Sequence, residues 1–511
     1  MQHSKSLFLL PLLALSACSS LGTSSKGTTA TFSDSGFTNT SVTTSSGSTK
    51  TVTDSVITYE QFWALGTKTT IELHFSNAAL YALSDNGANY DLKYADVYFP
   101  ASIKITVGTL SVSYAEVGVR MKGNNTRVEM CSSGGSISGV CHFKVSFKAT
   151  FDDSLYDLSQ FSQFKHDWSN DAAGRKERKT RRFAGMEKLD LKYLPRNNNL
   201  TYAQEIYCFD AFQKNGIETP NAKWTTTTFA DASSSKTSAY EAVEAMDDVF
   251  LEHHFAGDAS GDLYKCNTLS DGGPSTYIKA DLDRSGAVAT STASNGYANG
   301  ARTAKGKIGV EDNYGMYHPN YQLKTNDDGE NSDFSKMAAL INGVYNLRYK
   351  SAPYSLFDSL LDVDEFLKME AISYCLGNFD DQRNNYNNYF IYFRPSDGKA
   401  VYIPYDWDWS LGACMQIDVT SYKPFHTRTS HDTSTSNSLY WVTILNSSLA
   451  YSQTTMRDTY GSYVKKFVSD GYLDYATYTS FVNGVNGATK GEYSAVNSYM
   501  TSKKSVINGT W

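Results

Sequence analysis

The chain has 511 residues, 41% hydrophobic and 14% aromatic, enough for a sizeable core, which excludes a wholly disordered protein. Its 46 basic against 53 acidic residues leave a net charge of −7, which argues against a general nucleic-acid binder, because such proteins carry a basic excess. Thirty-six tyrosines with only 19% charged residues fit a secreted bacterial surface, and the length allows roughly two or three domains or one large domain with appendages.

At the N-terminus, Lys5 precedes an apolar run from Leu7 to Ala17 that stops at Cys18. Such a run is too short for a bilayer that needs roughly 20 residues, and has the length of a signal-peptide core. Leu15-Ser16-Ala17-Cys18 resembles a bacterial lipobox, whose Cys receives lipid before cleavage. Residues 1–17 are therefore expected as a signal peptide and Cys18 as the lipidation site that holds the protein on a membrane. Ser19 after the Cys favours the outer membrane or cell surface of the bacterial envelope. Residues 18–55 are mostly Ser, Thr, Gly and Lys and are expected as a flexible tether. A folded domain over 56–430 and a helical extension over 431–511 follow.

Residues 69–75 and 95–119 alternate with period two and predict strands; 117–126 runs from strand into a Gly/Asn turn. His142 to Lys148 predicts a strand with one basic face. Helices are predicted over 202–215, 243–255 and 364–376, the first stopped by Gly216 and the last by Gly377. Tyr389–Phe393 and Ala400–Tyr405, joined by the turn Pro395–Gly398, predict a β-hairpin. The tail has apolar residues at helical spacing, and the class is α+β. Six cysteines besides Cys18 allow three disulfides, with Cys131–Cys141 the expected pair across a Gly/Ser-rich turn. No CxxC or HExxH spacing supports zinc, and His253-His254 is expected as a surface pair.

The acidic residues around the hairpin carry the chemistry. Asp380 and Asp381 follow the third helix, a polar run from Gln382 to Asn388 leads into the hairpin, and the second strand emerges as Tyr405-Asp406-Trp407-Asp408-Trp409. Asp406 and Asp408 lie two apart and face the same way on an extended chain. Hard carboxylates with a loop Asn nearby suit Mg²⁺ (or Mn²⁺), which leaves positions for phosphates. A loop acid, an Asn, a hairpin and then a metal-binding Asp is the order used in protein-kinase phosphoryl transfer.

From about 94 to 415 the chain resembles the CotH family of atypical protein kinases, with a tail like the family's helical C-terminal part. Val119 to Thr126 (Val-Arg-Met-Lys-Gly-Asn-Asn-Thr) resembles its Arg-x-Arg-Gly-Asn-Ser/Thr turn, with Lys122 in place of the second Arg. Phe143–Lys148, Phe183–Leu191, Tyr240–Glu244, Val249–Leu251 and Leu263–Lys265 resemble further segments. Asn378–Asp380, Asn388–Tyr392 and Ile403–Asp408 resemble its most specific signature. The resemblance implies a kinase-like fold with an N-terminal β-rich part, ATP and a divalent cation. It implies Asp380 as the catalytic acid and Asp406 as metal ligand, with Asn385 or Asn388 completing the shell and Asp408 in support. It also implies Lys144 as the phosphate-pairing lysine, oriented by Glu205 or Glu244, with Arg120, Lys122, Asn124 and Lys265 at the nucleotide. The family's Asn-Gly turn is replaced by the longer Ala230–Ser238 segment.

The basic run Arg175–Arg182 is either a receiver for acidic or phosphorylated substrates or a solvated loop. Asp281–Gly286 begins like a calcium loop, but Thr292 stands where its closing Glu should be. Two functions compete: a lipid-anchored Ser/Thr kinase acting on secreted or surface proteins without nucleic acid, and a catalytically silent structural or adhesive module. The scarcity of ATP outside the cytoplasm weighs against the first; the presence of both Asp380 and Asp406 weighs for it.

Overall fold

The computed structural model describes residues 31–88 except 46, 97–123, 129–131, 137, 141–193, 203–266, 269–270, 277–278, 280, 282, 321–325, 335–349, 354–383, 386–413, 453–486 and 494–510. Cys18, Asn124, Asn385, Cys414, the signal peptide and nearly all of the calcium-like loop lie outside them.

The strands β1 (Phe37–Thr43) and β2 (Thr49–Ser55) pair antiparallel, Phe37 opposite Ser55. This hairpin replaces the tether expected up to residue 55. Its β-branched threonines suit a strand, and β2 buries Val52, Asp54 and Ser55 against the body of the protein. A capping box closed by Thr58 and Gln61 then starts the short helix α1 (Tyr59–Trp63).

The strands β3 (Thr69–Phe75), β4 (Phe99–Val107), β5 (Leu110–Lys122), β6 (His142–Ser146), β7 (Lys188–Tyr193), β8 (Ala222–Ala230) and β9 (Ser235–Glu244) form a closed barrel in the order β3-β4-β5-β6-β7-β9-β8. Parallel pairing of β3 with β8 completes the closure. The alternating stretch over 95–119 holds β4 and most of β5, turned at Gly108, whose φ of +59° favours glycine. Helices α2 (Asn77–Ala88), α3 (Ala172–Lys179) and α4 (Gln204–Lys214) lie between barrel strands in the chain. The long Ala230–Ser238 segment extends the β8–β9 hairpin, its turn held by Asp231 Oδ1, which accepts from the Ser233 and Ser234 amides.

Alternation decides which side chains fill the barrel. Val119, Met121, Phe143, Val145, Leu189 and Leu191 point into its core. Arg120, Lys122, Lys144, Asp190 and Lys192 therefore point outward. Register lines them up: Arg120 lies opposite Lys144, Lys144 opposite Asp190, and Lys192 opposite Glu241.

The helix predicted from 243 begins only at α5 (Asp248–His254), because β9 runs through Glu244 and Asp247 caps the helix. Beyond it come β10 (Leu263–Cys266), a ribbon of β11 (Leu269–Ser270) and β12 (Tyr277–Ile278), β13 (Tyr321–Leu323), and helices α6 (Ser335–Tyr349), α7 (Tyr354–Asp358) and α8 (Val363–Leu376). The predicted hairpin is β14 (Tyr389–Phe393) with β15 (Ala400–Pro404), and a four-stranded sheet runs β13-β10-β14-β15. Helices α9 (Gln453–Ser469), α10 (Tyr475–Gly484) and α11 (Ser494–Asn508) complete a second core with α4, α8 and this sheet. The class is α+β, with a β-barrel followed by a helical C-terminal part. Among the described residues no helix is long and apolar enough to cross a membrane.

Candidate functional site

The outer face of β5, β6 and β7 meets the segment that leaves β15, and titratable side chains gather there. Asp190 is fully enclosed and paired with Lys122 at 2.6 Å and Lys144 at 3.3 Å. Lys122 also donates to Tyr405 Oη at 2.8 Å, and Lys122 and Lys265 lie 5.5 and 5.8 Å from the centre of the Tyr405 ring. Burial would raise the Asp190 carboxyl, but Lys122 and Lys144 reverse this and hold it well below the usual carboxylate range. Lys265 takes the opposite course: burial, and then the charge of Lys122, push its ammonium down to about 8. With Arg120, four cations surround one carboxylate, so this half of the site has a positive excess that an anion would satisfy.

The other half is acidic. Lys192 Nζ lies 2.5 Å from Glu205 Oε2, 2.5 Å from Asp406 Oδ1 and 4.0 Å from Asp408 Oδ2. Burial works against its charge, yet Asp406 and Glu205 hold the ammonium above the ordinary lysine range. Glu205, in the first turn of α4, also accepts the Trp407 amide at 3.1 Å. Glu241 is 1% exposed, and burial followed by the charge of Glu205 keeps its carboxyl protonated well above the usual range.

Lys192, not Lys144, is thus the lysine that meets a helix glutamate, and Glu205, not Glu244, is that glutamate. Glu244 sits elsewhere: it accepts from Tyr59 Oη at 2.7 Å and lies 2.9 Å from His254. His253 is exposed and stacks on Tyr59, whereas His254 is enclosed between Glu244 and Glu218, so the two are not a common surface pair.

Asp380 comes to the acidic half through asparagines. Asn378 Oδ1 accepts the Asp380 amide at 3.0 Å, while its Nδ2 donates to the Asp406 carbonyl at 3.1 Å. One fully buried side chain thereby ties the backbones of the expected catalytic acid and the expected metal ligand together. Asn387 donates to both Asp380 carboxylate oxygens at 3.3 Å, and Asn388 to Oδ2 at 2.9 Å. Asn388, expected in a metal shell, uses its amide nitrogen to aim the acid. Tyr386, Asn388, Asp406 and Leu411 have left-handed φ of +52° to +61°, a conformation that costs about 1–3 kcal/mol each and persists where packing enforces it.

Asp406 and Asp408 are hard oxygen donors with side chains 32% and 15% exposed. Among the described residues no group of three or more His, Cys, Asp or Glu is arranged to hold a metal. Two carboxylates beside a cationic cluster still fit Mg²⁺, which uses one or two carboxylates and takes its other ligands from water and phosphates.

The four arginines of the basic run Arg175–Arg182 are committed to structure, while Lys176 and Lys179 are exposed. Arg175 pairs with Asp152, Arg178 with Glu116, Arg181 with Glu177 and Asp34, and Arg182 with Glu252. Cys131 and Cys141, expected as a disulfide, are buried thiols.

A family model described as CotH kinase protein matches residues 154–483, more than half of the chain. The match starts well after residue 94 and runs past 415 into the tail helices. Strands β3 to β6, with Arg120, Lys122 and Lys144, fall outside it, as does α11. No curated protein matches the chain.

Proposed function

Since the chain belongs to the CotH kinase family, we propose that it is a protein kinase that moves the γ-phosphate of ATP to Ser or Thr hydroxyls of secreted or surface proteins. It would act at the bacterial envelope, anchored through lipid on Cys18 and using Mg²⁺ or Mn²⁺. One observation carries this reading: a cationic cluster (Arg120, Lys122, Lys144, Lys265) and an acidic cluster (Glu205, Asp406, Asp408) adjoin at Tyr405–Asp406, with Asp380 tied to the acidic side.

The cations would bind the phosphates and Lys192, steadied by Glu205, would orient them. A divalent ion on Asp406 and Asp408 would supply charge neutralisation at the β- and γ-phosphates. Asp380, aimed by Asn387 and Asn388, accepts the hydroxyl proton as the acceptor oxygen bonds to γ-phosphorus and the bond to the β–γ bridging oxygen breaks, releasing ADP. Little covalent chemistry is asked of the protein, so positioning and electrostatics do most of the work.

Two measurements test the proposal. Mg²⁺ with ATP at about 100 times its Kd should stabilise the protein by about 2.7 kcal/mol, seen as a rise in Tm that Asp406→Ala abolishes. Transfer from γ-labelled ATP should fall roughly 10²- to 10⁴-fold in Asp380→Ala. Absence of any nucleotide-dependent shift would favour the silent surface module.

A further inference from the structure

The family match ends at residue 483, before α11. In the structure this helix reaches both segments that carry the acids. Tyr499 is 3% exposed, and its Oη donates to the Cys375 carbonyl at 2.9 Å, in the last turn of α8, just ahead of Asn378 and Asp380. Carbonyls in that turn have no partner within the helix and need one from outside. Gly377 ends the helix with φ +63°, and a Cβ there would lie 2.0 Å from Tyr499 Oη. On the other segment, Gly412 follows the Asp406–Ser410 turn with φ +88°, and its Cβ would lie 3.0 Å from Tyr499 Cβ and 3.2 Å from the Ala495 carbonyl. The two segments also meet each other, the Leu411 amide donating to the Leu376 carbonyl at 2.9 Å. Two glycines thus open a groove where the segments converge, and one tyrosine of the last helix fills it.

We propose that Tyr499 is a positioning residue that fixes the Asp380 segment against the Asp406–Asp408 turn, so that α11 is part of the catalytic framework. The inference rests on the kinase reading for its functional meaning, while the contact itself is testable without it. Asn378 links the two acids locally, but its own backbone hangs from Gly377; releasing the Tyr499 hydroxyl loosens the point from which that link is held. Displacements of about 1 Å in such a framework cost up to about 10²-fold in rate.

The test is amide hydrogen exchange on the full chain, comparing wild type with Tyr499→Phe, which keeps the ring and removes the hydroxyl. Exchange at the Gly377, Asp380 and Leu411 amides should accelerate about fivefold, the effect of losing one hydrogen bond, with Ile105 and Val145 in the barrel unchanged. Unchanged exchange at the three amides, or equal acceleration throughout the protein, overturns the proposal. Where the wild type transfers phosphate, Tyr499→Phe should lower kcat about tenfold and leave KM for ATP within about twofold; a rise in KM at constant kcat overturns the positioning role. A wild type that transfers no phosphate defeats the kinase reading, and the exchange result still decides the brace.

Discussion

Lys192 is the residue on which the acidic half depends. Its ammonium lies 2.5 Å from both Glu205 and Asp406, occupying a carboxylate oxygen of the residue best suited to hold a cation. Free Mg²⁺ must compete with that ammonium, whereas phosphates that draw the lysine away make Asp406 available. We therefore expect Mg²⁺ alone to leave the wild-type urea midpoint nearly unchanged. Lys192→Met, which strands Glu205 and Asp406 without their cation, should lose roughly 3–5 kcal/mol in metal-free buffer. The variant should regain part of that loss with Mg²⁺; equal midpoints for variant and wild type would show that the ion pair carries no weight. The family resemblance implies Lys144 as the phosphate-pairing lysine, and the alternation of its strand, His142–Lys148, recurs in Leu189–Tyr193. Only the pairing of β7 with β9, beside α4, distinguishes them, and strand neighbours far apart in sequence are not encoded in either strand's own pattern.

At the scale of elements, the junction of α1, β9 and α5 holds a charged histidine. Burial would lower His254, but Glu244 and then Glu218 raise it to about 9, and Tyr59 Oη and His253 also face this junction. A raised histidine adds stability that is fully present below its ordinary value of about 6.5 and fades as pH climbs through about 9. The contribution is about 3 kcal/mol at most, at one pKa unit per 1.36 kcal/mol. His254→Gln should accordingly melt well below wild type at pH 6 and close to it at pH 10; a gap constant with pH would exclude this origin. Elements with strong local signals were legible, among them α8 with its Gly377 stop and the β14–β15 hairpin around Pro395–Gly398. The β1–β2 hairpin was not, because its polar composition resembles a linker and its stability comes from distant partners such as Arg181, which binds Asp34 and bridges Thr53. The ion pairs of the basic run were not legible for the same reason, since Asp152, Glu116, Asp34 and Glu252 lie elsewhere in the chain and only Glu177 lies within the run.

The described residues form two apolar cores, one inside the barrel and one among the helices and the four-stranded sheet, and the candidate site lies where their polar faces touch. Tyr405 spans this boundary. It belongs to the segment leaving β15, its hydroxyl accepts from Lys122 at 2.8 Å and donates to Asp190 at 3.3 Å, and the next residue is Asp406. The hydroxyl therefore sets the cationic face of the barrel against the acidic turn of the second core. No local pattern foretells this, because the site gathers residues from Arg120 to Asp408 through barrel closure and the packing of one core on the other. In Tyr405→Phe, Lys122 and Asp190 still pair with each other, so the barrel should lose only about 1 kcal/mol. What is lost is registration between phosphate-binding and metal-binding halves, and binding of ATP with Mg²⁺, measured by titration calorimetry, should weaken roughly five- to tenfold. Tyr402→Phe, changed on a ring stacked against Tyr389 inside the sheet, serves as the comparison and should bind like wild type. Equal affinities for the two variants would mean that the halves are registered by apolar packing alone, and that the Tyr405 hydroxyl merely satisfies its neighbours.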